Sequence, residues 1–316
     1  MLWTSFAKIV IPYASLVLII AVGVFAAWQR ILTTERINAL SEFVTVLILP
    51  IFMFWNAASG SISSVLSQAP WMVGLGFGVG LAGFILTSLY VRIRNLEWPK
   101  HSVTILSGST GNTGFLGIPI CTAIFGSHGT ILALLFDLGA TFYFFTLGIS
   151  PFQRTDDLKL TGLSRLRLML KQLVSPTLIA LLLGLGLDLL GWQLPDYIRL
   201  PVSSLAAIAI PVMMLILGGV IFDTAKNHCI DKIGVVVIGL IKLVILPGLM
   251  WLLVTFLPLT ATARGVVVLG SAMPSAIMGV TFAARYGADE NLASSATMLT
   301  TLISLLTIPL IAAIWR

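Results

Sequence analysis

Apolar runs of about 20 residues or more, interrupted by short charged or turn-rich breaks, follow one another along nearly the whole chain. A run of that length crosses roughly 30 Å of hydrocarbon at ~1.5 Å per residue. Inside a bilayer the backbone must satisfy its own hydrogen bonds, so such runs become helices. Ten spans can be read: 5–28, 37–57, 69–92, 102–125, 129–150, 171–191, 198–222, 233–256, 263–285 and 291–315. The expected fold class is an all-α polytopic membrane protein with ten transmembrane helices and the lipid bilayer as its solvent. Charged residues make up only 9% of the chain. A soluble domain carries about 25%, so too few remain to cover a water-facing surface. The apolar run from Ile9 to Trp28 is too long for a signal-peptide core, and no clear A-x-A cleavage site follows it. It reads as a retained first helix.

The net charge is +6. In a soluble protein that excess could indicate a nucleic-acid partner; here its distribution along the chain carries more information, and no nucleic acid is expected. Thirteen of the 18 cations fall in the loops after the odd-numbered spans, four lie on the opposite side, and Lys242 lies within a span. Cytoplasmic loops collect Lys and Arg, so both termini are expected outside. The polar stretch from Gln153 to Arg167 then belongs to a cytoplasmic linker, 153–170, with a solvated, headgroup-facing character. Cys121 and Cys229 form no CxxC pair, and His101, His128 and His228 sit singly at span ends. No metal site and no cofactor are expected.

The chain also resembles itself. Leu49-Pro50-Ile51-Phe52-Met53 matches Ile210-Pro211-Val212-Met213-Met214 at an offset of 161, and Gly126 matches Gly287 at the same offset. Pro12 and Pro176 match at 164. These matches divide the chain into a first repeat, 1–152, and a second, 171–316. Five spans are an odd number, so the second repeat must enter the membrane with opposite topology. Inverted repeats of this kind are a design of secondary transporters, with the site at the repeat interface near the midplane.

The fourth span is poor helix material. It reads Ser107-Gly108-Ser109-Thr110-Gly111-Asn112-Thr113-Gly114-Phe115-Leu116-Gly117-Ile118-Pro119. Glycine costs up to ~1 kcal/mol and proline ~3 kcal/mol in a helix interior. Irregular backbone at membrane depth is tolerated only inside protein or against a wet cavity. Two half-helices meeting near the midplane are therefore expected, with Asn112 and Thr113 at the break. A half-helix N-terminus there favours an anion. Close helix packing is the competing explanation, because glycines at 108, 111, 114 and 117 also suit a helix contact. The matching ninth span carries its own interruption, Gly270-Ser271-Ala272-Met273-Pro274-Ser275-Ala276-Ile277-Met278-Gly279. That paired interruption favours a site. Asp137 and Lys242 lie deep in the fifth and eighth spans. Ionisable groups at that depth are functional candidates; a structural ion pair, even with each other, is the alternative. Asp188 and Asp223 lie near span ends, within reach of water.

Asn112-Thr113-Gly114-Phe115-Leu116-Gly117-Ile118-Pro119 resembles the fourth-helix signature of the auxin efflux carrier family, in its bacterial branch. Met273-Pro274-Ser275-Ala276, with Tyr286-Gly287 and Leu292-Ala293-Ser294, resembles its ninth-helix region. Pro211 through Leu217-Gly218-Gly219 resembles its seventh helix, and Thr300 to Pro309 its last. The resemblance covers essentially the whole chain. It implies two inverted five-helix repeats whose helices four and nine unwind and cross at the substrate site. It also implies elevator-like alternating access and a homodimer. Its substrates are small organic anions, auxin-like compounds or dicarboxylates, and the bacterial branch implies the cytoplasmic (inner) membrane; the sequence leaves the coupling ion, proton or sodium, open, with Asp137 as the candidate for a proton. By motif the substrate site takes in Asn112, Thr113, Gly114, Pro119, Pro274, Ser275 and Gly279; Asp137 and Lys242, by their depth and not by motif, are the coupling or ion-pair candidates. Plant carriers place a second proline about where Gly279 stands, and this chain lacks their very long central loop. A passive channel and a membrane-embedded enzyme are the other function classes. For the enzyme there is no HExxH, no GxSxG and no pair of carboxylates on one helix face.

Overall fold

The computed structural model describes residues 2–58, 63–152, 176–225 and 231–315. The linker 153–170, His228 and Cys229 lie outside the described residues. Among the described residues, besides the single turn Ser63–Leu66, there are eleven longer helices: α1 (Leu2–Trp28), α2 (Thr34–Ala58), α3 (Ala69–Ile93), α4 (Lys100–Ser109), α5 (Thr113–Phe152), α6 (Pro176–Leu189), α7 (Asp196–Thr224), α8 (Lys232–Thr255), α9 (Ala261–Ser271), α10 (Met278–Tyr286) and α11 (Glu290–Trp315). Among the described residues there is no strand, only one isolated bridge. Six helices, α2, α3, α5, α7, α8 and α11, are long and apolar enough to cross a membrane, and α6, α9 and the Tyr13–Trp28 part of α1 are shorter apolar helices. The surface matches a lipid solvent. Leu18, Ile85, Leu183, Val244, Leu252 and Leu306 all stand exposed on helix flanks, which would be costly in water.

One of the six is not a single rod. α5 runs for 40 residues, which as a straight helix would measure about 60 Å, twice the hydrocarbon thickness. Gly126 interrupts it with φ 66° and ψ −156°, a conformation open to glycine and strained for any residue with a Cβ. The Thr122 and Thr130 hydroxyls hydrogen-bond at 2.8 Å across the break. Residues eight apart on a straight helix are about 12 Å apart, so the chain doubles back at Gly126. The two limbs, 113–125 and 127–152, occupy the end of the fourth span and the whole of the fifth.

Proline shapes the helices locally. Of four short π-helical segments among the described residues, Val44–Ile48, Thr113–Gly117 and Ile241–Ile245 lead into a proline and Phe144–Gly148 does not. Each of the first three runs directly into a hydrophobic residue followed by proline: Leu49-Pro50, Ile118-Pro119 and Leu246-Pro247. Proline has no N–H to donate and its ring crowds the preceding turn. A widened turn absorbs the misfit without breaking the helix, and such bulges gather at functional positions.

Glycines let the helices approach closely. A Cβ on Gly76 of α3 would lie 2.0 Å from the Phe136 carbonyl oxygen of α5, and one on Gly139 of α5 would lie 2.0 Å from the Val73 carbonyl oxygen of α3. The contact is reciprocal. The same device joins α1 to α7, where a Cβ on Gly23 would lie 2.3 Å from the Leu215 carbonyl oxygen and one on Gly218 2.2 Å from the Ile20 carbonyl oxygen. It also joins α6 to α2, where a Cβ on Gly184 would lie 2.5 Å from the Phe54 carbonyl oxygen. In lipid, where association rests on close van der Waals contact, small residues are what permit it.

Candidate functional site

The helix breaks meet. α4 stops at Ser109 and α5 starts at Thr113; α9 stops at Ser271 and α10 starts at Met278. The extended residues between them pair as an antiparallel bridge at Gly111 and Ser275. Asn112 N–H donates to the Pro274 carbonyl at 2.8 Å, and Ala276 N–H donates to the Thr110 carbonyl at 3.2 Å. Two more bonds tie Ser275 down: its hydroxyl donates to the Ser107 carbonyl at 2.7 Å, and its N–H donates to the Thr300 hydroxyl of α11 at 3.1 Å. The backbone groups released by breaking two helices thus satisfy one another, as burial requires.

Beside this crossing lies a cavity of about 480 Å³, a size suited to a small organic molecule. α2 and α7 close its other side through Asn38, Ser41 and Thr45, and through Met213, Ile216 and Val220. Of the residues expected from sequence, Asn112, Thr113, Gly114, Asp137 and Lys242 line it. Asn112 is 7% exposed and its side-chain Nδ2 has no hydrogen-bond partner. Thr113 donates its hydroxyl to Asp137 Oδ1, so the carboxylate of the second limb of α5 is held at the start of the first. Asp137 and Lys242 share the cavity without forming an ion pair. Among the described residues the one salt bridge is Lys100–Asp231 at 3.5 Å, near the ends of α4 and α8. Asp223, near a helix end as expected, accepts from the Thr34 hydroxyl at 2.7 Å. No group of three or more metal-ligating side chains occurs among the described residues.

The other expected residues have supporting positions. Pro274 and Ser275 build the crossing through backbone and hydroxyl bonds and do not border the cavity. Pro119 follows the π segment at the start of α5. Gly279 lies inside the first turn of α10, not in the break itself, with its would-be Cβ 3.3 Å from the Ser107 hydroxyl.

The fourth-span glycines serve both explanations offered for them. Gly108 packs against Thr87 of α3, its would-be Cβ 2.2 Å from the methyl group. Gly111 leaves room for Lys242, whose Nζ would stand 3.0 Å from an added Cβ, and Gly114 leaves room for Asp137, with Oδ1 at 3.6 Å. Sequence reasoning missed Thr300 and Ser107, which anchor the crossing. Thr300 is one of six buried hydroxyl residues between Ser294 and Ser304, and a polar stripe on the last apolar helix was the available signal.

Comparison with known proteins finds membrane transporters. A family model described as a membrane transport protein matches residues 8–312. An uncharacterized transporter of Methanothermobacter thermautotrophicus is 27% identical over 297 residues, covering 94% of this chain and 95% of that protein. An uncharacterized transporter of Methanocaldococcus jannaschii is 27% identical over 304 residues, covering 93% of this chain and 94% of that protein. With the family match extending across nearly the whole chain and the two broken helices meeting at a cavity, the chain belongs to the membrane transport protein family, the auxin efflux carriers whose motifs its sequence carries.

Proposed function

We propose that the chain is a secondary transporter of a small organic anion, working by elevator-like alternating access at the crossing of its two broken helices. The observation that carries this is the cavity itself, lined by Asn112 with an unpaired buried amide and by the α5 N-terminus, whose first N–H groups have no partner within the helix.

Pseudo-symmetry supports the ten-helix inverted repeat on which alternating access depends. Gly184 and Phe54 lie 161 positions from Gly23 and Leu215 respectively. The close contact of Gly23 with the Leu215 carbonyl is therefore the mate of that between Gly184 and the Phe54 carbonyl. Gly126 and Gly287, also 161 apart, both adopt positive φ, 66° and 64°. Exchanging the two halves' conformations interconverts inward- and outward-open states. The charge distribution favours both termini outside, the resemblance favours a bacterial cytoplasmic membrane, and a homodimer fits the resemblance. Asp137 is the candidate carrier of a coupled proton; the other titratable residues lining the cavity are Lys242 and Tyr143. Asp137→Asn is expected to flatten the pH dependence of transport in proteoliposomes. An unchanged profile would remove Asp137 from that role.

The decisive experiment is flux by reconstituted protein. Asn112→Ala and Ser275→Ala are expected to insert and fold, judged by monodisperse elution, while uptake and efflux fall at least tenfold. Normal flux in both variants would sink the site. Saturable counterflow separates a carrier from a channel, and release of a chemically altered product would turn the reading to an enzyme.

A further inference from the structure

A second cavity, of about 620 Å³, lies away from the crossing. Three elements wall it: the last turns of α3 with the loop that follows, the first turns of α4, and the end of α5. Backbone bonds hold its shape. Asn95 turns the chain from α3 towards α4 with φ 50°, and the Leu96 N–H donates to the Val91 carbonyl at 3.0 Å. The Ser102 hydroxyl donates to the Pro151 carbonyl at 2.7 Å and ties α4 to the end of α5.

The cavity is polar at one end and apolar at the other. α3 has 25 residues, about 37 Å against roughly 30 Å of hydrocarbon, so its last turn reaches headgroup depth. Arg92 lies in that turn and Glu97 in the loop after it, and both line the cavity. Among the described residues neither forms an ion pair. Two opposite charges thus border one space without meeting across it. Ser88 is one turn below Arg92, and its Oγ is buried with no hydrogen-bond partner among the described residues. Phe84 and Ile105 line the deeper part, with Phe84 about 12 Å below Arg92 along the helix. Phe84, Ser88 and Arg92 are each followed by a residue of the exposed stripe Ile85, Leu89 and Ile93. The cavity therefore adjoins the lipid-facing side of α3.

We propose that this cavity seats one phospholipid with a zwitterionic, amine-bearing headgroup. Arg92 holds the phosphate, Glu97 the ammonium and Ser88 a glycerol ester carbonyl, with one acyl chain along Phe84 and Ile105. This site is separate from the crossing and does not depend on what the protein carries. The planar guanidinium fork suits a phosphate. One helical turn, about 5 Å, separates Ser88 from Arg92, so phosphate and ester of one molecule can be met together. An anionic lipid without an amine would bring its charge against the Glu97 carboxylate, and a choline headgroup has no N–H to donate to it.

The test is lipid retention by the purified full chain, read by native mass spectrometry. The probes are dioleoyl phosphatidylethanolamine, phosphatidylcholine and phosphatidylglycerol at equal concentration. Phosphatidylethanolamine is expected to be retained several-fold over the other two. Arg92→Gln is expected to weaken its retention about tenfold, the usual scale for one hydrogen-bonded contact to a charged group. Arg92→Lys keeps the charge without the fork and is expected to lose less. Glu97→Gln is expected to abolish the preference for phosphatidylethanolamine over phosphatidylglycerol. Phe84→Trp fills the deep end without touching a charge, is expected to weaken all three lipids, and serves if Arg92→Gln does not fold. Arg199→Gln, at an exposed arginine near the start of α7, is the control and is expected to change nothing. Equal retention of the three lipids, a preference for phosphatidylglycerol, or equal losses in Arg92→Gln and Arg199→Gln would each overturn the proposal. So would retention unaltered in both Arg92→Gln and Phe84→Trp. Displacement of the lipid by free phosphoethanolamine at matched concentration would overturn it as well, assigning the cavity to a soluble phosphate ester.

Discussion

Gly139→Val is expected to yield no folded protein in detergent extracts, and Gly139→Ala a protein with a clearly lowered melting temperature. The glycine lies where the second limb of α5 presses on α3. A Cβ there would stand 2.0 Å from the Val73 carbonyl oxygen, 2.8 Å from its carbon and 3.0 Å from the Phe77 nitrogen. All three are backbone atoms, so no side chain can turn aside. Helix α3 must move as a body, and its movement also parts Gly76 from the Phe136 carbonyl. Overpacking a core against movable side chains costs about 1–3 kcal/mol. Separating two helices along their contact belongs with the exceptional losses above about 4 kcal/mol. Gly74 and Gly78 on α3 provide the contrast, because nothing lies within 4 Å of a Cβ on either. Gly74→Ala is expected to hold or raise the melting temperature, since alanine is the better helix former by up to ~1 kcal/mol. Thermal unfolding by tryptophan fluorescence, with size-exclusion profiles, checks all three. If Gly139→Ala and Gly74→Ala behave alike, the close contact does not support this part of the fold. A looser α3–α5 contact also shifts Asp137, two residues from Gly139, so residual protein is expected to transport poorly.

That contact shows where sequence reading reaches its limit. The apolar runs located the helices to within a few residues, because span length is set by the bilayer and not by neighbours in the fold. α2 covers Thr34–Ala58 against an expected 37–57, and α8 covers Lys232–Thr255 against 233–256. The interruptions at 107–119 and 270–279 were legible for the same reason, since glycine and proline act locally. Partners were not legible. Nothing in a row of glycines tells Gly108, packed on Thr87, from Gly111, which makes room for Lys242. Nor does position in a span tell that Thr113 bonds Asp137 while Lys242 pairs with no carboxylate among the described residues. These facts depend on which helices adjoin. The motif residues divide along the same line: Asn112, Thr113 and Gly114 border the cavity, whereas Pro119, Pro274, Ser275 and Gly279 shape the backbone around it.

Thr300→Val is expected to lower the melting temperature and to depress transport more than any other hydroxyl deletion on α11. Thr300 is 0% exposed, and its hydroxyl does two things at once. It donates to the Ala296 carbonyl at 2.6 Å, the ordinary bond of a helical threonine to the preceding turn. It also accepts the Ser275 N–H at 3.1 Å. Valine keeps the shape and removes the acceptor. The Ala296 carbonyl keeps its helical partner, but the Ser275 N–H is left buried and alone. An orphaned buried donor costs about 1–3 kcal/mol, and at membrane depth no water replaces the lost partner. Ser275 is also the residue whose hydroxyl holds the Ser107 carbonyl and whose backbone forms the bridge to Gly111. Slack at Ser275 therefore passes to Gly111, against which Lys242 rests, and to Asn112, which borders the cavity. Thr300→Ser restores the acceptor and is expected to recover most of both losses, since only a methyl group is missing. Thr301→Val is the neighbouring control: its hydroxyl bonds only within α11, to the Thr297 carbonyl at 2.7 Å, and it is expected to be nearly silent in transport. Thermal unfolding and proteoliposome flux, measured on the three variants together, separate a packing defect from a loosened crossing. If Thr300→Val and Thr301→Val are equivalent in both assays, the Ser275–Thr300 bond does not hold the two broken helices in register.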